Sequence, residues 1–141
     1  AAMECHEKAV AEQADTREGA ESQLLLAGLE LKAGRHDRAA ERFAAAAEAA
    51  TREEALYLRA RAYFGLGETA EAAGQLDRAA RHFMSVAVLF DDPEWTPHSL
   101  YRAGRLFGEL GRPEQQAGIW QELRARYPDS RFVRQISQET P

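Results

Sequence analysis

Proline is missing from the first 92 residues, its five copies being Pro93, Pro97, Pro113, Pro128 and Pro141. Nothing in that stretch therefore forces a break in a long helix. Val, Ile and Thr together fill only eleven of the 141 positions, against 28 for Ala, a balance that favours helix and excludes an all-β fold. Cys5 stands alone, which rules out an internal disulfide and a multi-thiolate metal site and says nothing firm about redox compartment. No run of ten residues is free of polar groups, so no membrane insertion is expected. Basic residues are the minority, 18 against 23 acidic, for a net charge of -5. That balance argues against a nucleic-acid partner, which calls for a basic face. The start, Ala1-Ala2-Met3, carries no targeting signal, and the chain is expected to be a fragment of a longer protein.

What is present is repetition. Gly34-Arg35-His36-Asp37-Arg38-Ala39-Ala40-Glu41-Arg42-Phe43 returns forty residues later as Gly74-Gln75-Leu76-Asp77-Arg78-Ala79-Ala80-Arg81-His82-Phe83, identical at Gly, Asp, Arg, Ala, Ala and Phe. A weaker third copy runs from Gly111 to Trp120 with the same glycine-to-aromatic spacing. Each copy follows an apolar helical stretch, so the unit reads as helix, tight turn at glycine, second antiparallel helix. Glycine suits a helix end that needs positive φ, and Asp37 and Asp77 suit the positive end of the helix that follows. Thr16-Arg17-Glu18 is echoed by Thr51-Arg52-Glu53, and Thr96-Pro97 opens the third unit; Thr is expected at each N-cap and Pro97 at the first helical position. The predicted helices cover 4–14, 17–33, 37–50, 52–73, 76–90, 97–110, 114–126 and 130–138. The fourth is kept continuous through Gly65 and Gly67, because the turn signal of Gly34 is copied at Gly74 and not at Gly67.

This arrangement resembles the tetratricopeptide repeat (TPR) family. Residues 97–128 carry the resemblance best, through Leu100, Ala103-Gly104, Phe107, Gly111, Trp120, Leu123 and Pro128. Residues 60–93 supply Tyr63, Leu66-Gly67, Ala70, Gly74, Ala79, Phe83 and Val86, and a first unit near 20–53 supplies Leu26-Ala27, Gly34, Ala39, Phe43 and Ala46. Glu30 and Ala70 stand where the family has an aromatic, and Gln116 where it has a small residue. The ending Tyr127-Pro128-Asp129-Ser130 is similar to a subset of bacterial cell-envelope repeat proteins, such as the Tol-Pal coordinator and lipoproteins of outer-membrane assembly. The resemblance implies an all-α fold of antiparallel helical hairpins stacked as a right-handed superhelix. Residues 1–15 would be the second helix of a preceding repeat, 17–50, 52–92 and 97–128 three repeats, and 130–139 a capping helix. It leaves open a bacterial periplasmic or envelope setting and a cytoplasmic one.

Stacking follows from physics as well, since an amphipathic helix needs a neighbour to cover its stripe. Small residues such as Gly67, Ala79, Ala103 and Gly104 permit close approach, and Phe43, Phe83, Phe107 and Trp120 are assigned to the spaces between helices rather than to a cofactor pocket. No cofactor is expected.

Candidate chemistry is thin. Gly65-Leu66-Gly67-Glu68-Thr69-Ala70 satisfies a dinucleotide fingerprint formally, but that motif needs a preceding strand and here the approach reads as helix. His6, His36, His82 and His98 fall in four different elements without metal-ligand spacing, so no metal site is expected. Cys5 and His6 are adjacent and point apart on a helix. Asp91-Asp92-Pro93-Glu94 lacks the ligand spacing of a calcium loop. No catalytic residue is assigned.

The family's usual activity is to hold a partner segment in the groove lined by the first helices of the hairpins. By its register Leu24, Arg61, Phe64, His98, Tyr101, Arg102 and Arg105 project there, and Tyr57 and Arg59 join them. Arginine forks and rigid aromatics suit recognition of a carboxylate-bearing segment. The Lys and Asn clamp for chaperone C-termini is absent at the matching positions. The expectation is a non-catalytic adaptor for a protein or peptide partner; the alternative is homo-oligomerisation through uncovered repeat edges.

Overall fold

The computed structural model describes residues 17–139. It contains, among the described residues, seven α-helices and no strand: α1 (Arg17–Lys32), α2 (His36–Ala49), α3 (Leu56–Ala72), α4 (Leu76–Leu89), α5 (Trp95–Glu109), α6 (Pro113–Arg126) and α7 (Arg131–Glu139). Each helix packs on the next, which makes α1–α2, α3–α4 and α5–α6 successive hairpins. The odd-numbered helices also pack on one another, α1 on α3, α3 on α5 and α5 on α7, and so form one continuous layer. The result is an all-α hairpin solenoid. The predicted helix 4–14 and the N-cap at Thr16 lie outside the described residues.

The turns explain the spacing. Gly34, Gly74 and Gly111 have φ of 78°, 78° and 73°, a region costly to residues with a Cβ. Each closes its helix in the same way. The amide of Gly34 donates to the Leu31 carbonyl and that of Arg35 to Glu30; Gly74 and Gln75 repeat this with Glu71 and Ala70, and Gly111 and Arg112 with Gly108 and Phe107. The matched segments 34–43 and 74–83 thus occupy equivalent places, each leading into a helix of 14 residues with a fully buried Phe43 or Phe83.

Two helix starts differ from expectation. Thr51 caps nothing: a 3-10 turn, Glu53–Ala55, precedes α3, which begins at Leu56 rather than at residue 52. Helix α5 begins at Trp95, ahead of the expected Pro97, because Asp92 Oδ1 accepts from the amides of Glu94 and Trp95 at 2.9 and 2.8 Å. Thr96 is instead fully buried, its hydroxyl accepting from the Asp92 amide and donating to the Phe90 carbonyl. Pro97 is tolerated at the third helical position, where its missing N–H would still lack an intrahelical partner.

Glycines inside α3 earn their place by packing. A Cβ on Gly65 would overlap the Phe43 ring, and one on Gly67 would come within 2.6 Å of Phe83. The helix runs unbroken through both. In α5, Gly104 gives the same room to Trp120, whose indole N–H donates to the Tyr101 carbonyl at 3.3 Å. Phe64 and Phe83 pack with centroids 5.0 Å apart in the middle of the stack. Each such buried ring contributes on the order of 2 kcal/mol by removal from water. Phe107 is only half-buried; its neighbour Leu106, at 1% exposure, takes the central position instead.

Candidate functional site

The odd-numbered layer carries a band of arginines laid over aromatic rings. Arg61 on α3 holds its guanidinium 5.7 Å from the Phe64 centroid and 5.1 Å from that of Trp95. Arg102 on α5 lies 5.6 Å from the Phe64 centroid and 5.1 Å from that of Phe83. Phe64 itself is 2% exposed, so it is the floor of the site rather than a group offered to a ligand. A guanidinium over an aromatic face keeps its N–H edge directed outward.

Both arginines meet carboxylates of α3. Arg102 Nη2 donates to Glu71 Oε1 at 2.6 Å, and Arg61 Nη1 stands 3.1 Å from Glu68 Oε1 in an ion pair not aligned as a hydrogen bond. All four side chains keep between 23% and 33% of their surface in solvent. Arg59 lies over the Tyr63 ring at 6.0 Å and exposed Arg105 over Tyr101 at 5.9 Å; neither holds a carboxylate among the described residues. Arg61 and Arg102 are thus each paired with a carboxylate, and Arg105 borders Glu109 and Glu139.

The remaining sequence-predicted residues divide. Tyr57 is 40% exposed at the start of α3, beneath the Arg17 guanidinium. Tyr101, at 3% exposure, is turned to α7: its hydroxyl donates to Glu139 and accepts from Gln135, and its ring stacks near Phe132. His98 is half-buried between Phe64 and Phe132. Burial, with Arg102, Arg131 and Arg61 around it, pushes its pKa down to about 4. Leu24 packs against the α2 side of the core, with Phe43 and Ala49 among its neighbours. Glu68, Glu71 and Trp95 complete the band and were not singled out from sequence; Phe132, read from sequence as part of the apolar stripe of the last helix, joins them through His98. Arg61 and Glu68 are seven apart on one helix, a signal that was legible; Glu71 and Arg102 are 31 apart, and only the fold joins them.

The other candidates receive structural roles. Gly65 to Ala70 lies wholly within α3, without the strand its fingerprint needs. In the 91–94 segment Asp91 accepts from the Tyr127 hydroxyl, Asp92 caps α5 and Glu94 pairs with Arg131 at 2.8 Å. Among the described residues no three His, Cys, Asp or Glu side chains are grouped as metal ligands, and no helix is long and apolar enough to cross a membrane. Cys5 and His6 lie outside them.

No curated protein matches the chain. Residues 54–86 and 98–130, which span most of α3–α4 and of α5–α6, match the family model of the tetratricopeptide repeat. Hairpin α1–α2 is unmatched there, and its kinship to the others rests on the shared turn and helix geometry. The arginine band thus sits on the first helices of the two hairpins that match this model.

Proposed function

We propose that the chain is a non-catalytic adaptor whose α3 and α5 faces receive a carboxylate-bearing segment of a partner protein. Tetratricopeptide repeats generally mediate protein–protein interaction, and the chemistry of this surface supports the narrower reading. The observation that carries it is the placement of Arg61, Arg102 and Arg105 on rigid helices, two of them already holding an intrachain carboxylate that an incoming one would replace. Tyr57, one turn before Arg61, extends the same face toward the start of α3, while Arg59 lies over Tyr63.

The test is capture of a partner from the native host by the full-length protein, followed by its affinity for Arg61→Ala and Arg105→Ala. Both variants are expected to bind more weakly with unchanged helicity, and equal affinity in both rejects the site. Light scattering addresses self-association, the competing reading: a dimer at micromolar concentration that Arg61→Ala leaves intact favours pairing through the repeat edges. The Tyr127-Pro128-Asp129-Ser130 ending supports a bacterial cell-envelope setting, which fractionation of the host tests.

A further inference from the structure

The junction between α2 and the second hairpin is built differently from the one between α4 and the third. At the later junction Leu76 of α4 and Ile119 of α6 pack on the apolar cluster that holds Phe83 and Leu106. Counted from the turn glycines Gly34, Gly74 and Gly111, the places of Leu76, Ile119 and Leu106 belong at the earlier junction to His36, His82 and Thr69, and Arg78 stands where α6 has Gln115. Polar groups have replaced apolar ones. Together they border a cavity of about 120 Å³ between α2, α3 and α4. The Arg78 guanidinium donates to Gln75 Oε1 at 3.4 Å and pairs with no carboxylate among the described residues. Asp77 beside it is engaged by Arg81 and Arg112, at 2.9 and 3.0 Å.

We propose that this cavity binds a free tetrahedral oxyanion of the sulfate or phosphate class, held between the Arg78 guanidinium and the imidazolium forms of His36 and His82. The volume equals that of about four waters, room for one such ion and little else. Proton uptake accompanies binding. Burial, then Arg78 and Arg81, hold the His82 pKa below its ordinary value. The charged or titratable groups that face it are those two arginines from α4 and His36 and Asp37 from α2; α3 adds none to the lining. An anion between Arg78 and His82 offsets the repulsion, so affinity rises as pH falls. With both imidazoles charged, three cations of the lining stand against Asp37; with both neutral, Arg78 stands against it alone.

Sulfate is the probe, because it stays a dianion while the imidazoles titrate. Ring-proton signals of His36 and His82 are followed as sulfate replaces chloride at constant ionic strength. Saturable shifts of both are expected near about pH 5.5, with affinity about tenfold weaker near about pH 8. Arg78→Gln, which copies the residue of α6, is expected to weaken binding about tenfold, and Arg38→Gln, outside the cavity, to leave it unchanged. Absent or unsaturable shifts overturn the proposal, as do equal effects of the two variants or tighter binding at the higher pH. The double variant His36→Leu, His82→Ile, which copies the later junction, is expected to lose the site without losing the fold; retained saturable binding there also overturns it. Phosphoserine amide separates a free ion from a phosphoryl group carried on a chain. Weaker binding than sulfate is expected, and tighter binding contradicts the free-ion assignment.

Discussion

The imidazole of His98 stacks on the ring of Phe132 with centroids 4.5 Å apart, joining α5 to α7 through a group held neutral. Its Nδ1 is buried without a hydrogen-bond partner, and the charged groups facing it from α3, α5 and α7 are Arg61, Arg102 and Arg131. A proton there would meet three cations and no acceptor. With the pKa at about 4 when folded and 6.5 when unfolded, the unfolded chain takes up the proton first. Stability is then fully present above about pH 6.5 and falls as pH drops toward 4. Urea unfolding near pH 7 and near pH 5 is expected to give a lower midpoint at the acid value, and His98→Phe to remove most of that difference. Burial also lowers the pKa of His82, so His82→Asn is the companion variant; an unchanged slope in His98→Phe contradicts the account.

Replacing Gly104 with leucine is expected to cost stability. Its added side chain runs into Trp120, which is 5% exposed and held by its bond to Tyr101, so it has no free side to move toward. Overpacking of this kind costs roughly 1–3 kcal/mol. Thermal unfolding of Gly104→Leu should fall by several degrees, and an unshifted transition would place Trp120 elsewhere.

Glu30 and Arg35 make an unequal pair. The carboxylate is 2% exposed at a position equivalent to Ala70 and Phe107, while half of the Arg35 side chain remains in water. Removing the arginine strands a buried charge; removing the acid leaves a cation that solvent can serve. Arg35→Ala is expected to lower the denaturation midpoint more than Glu30→Leu, which adds apolar volume to the core. The opposite order would mean that the carboxylate is solvated.

At the arginine band the intrachain acids compete with a ligand. Glu71→Gln frees Arg102, and Glu68→Gln frees Arg61, so each is expected to bind an acidic partner segment a few-fold more tightly. The gain should shrink as salt rises. Titration of the captured partner into these variants checks it, and weaker binding would assign the acids to direct contact with a basic ligand.

Much of this architecture was legible from punctuation. Gly34, Gly74 and Gly111 announce their turns because only a residue without Cβ takes that φ cheaply, and the repeated Asp and Phe then fix the helix that follows. The starts of α3 and α5 were harder, since Thr51 and Thr96 are good caps in isolation and the choice fell to tertiary context: Asp92 captured the amides, and Thr96 was drawn into the core. At the candidate site, the helical register put Arg61, Arg102 and Arg105 on the odd-numbered layer, where they lie over aromatic rings. It placed Phe64 and Tyr101 with them, but what separates a groove floor from a groove surface is the neighbouring helix, here α4, α5 and α7. The capping helix α7 was expected from its apolar stripe; that its Phe132 and Gln135 hold Tyr101 was not.

The most direct measurement is a map of amide shifts in the isotopically labelled chain as the captured partner is added. The account predicts shifts along α3 and α5, centred on Arg61, Arg102 and Arg105, with the even-numbered helices α2 and α4 quiet. Shifts confined to α2 and α4, with the arginine band unmoved, would contradict it.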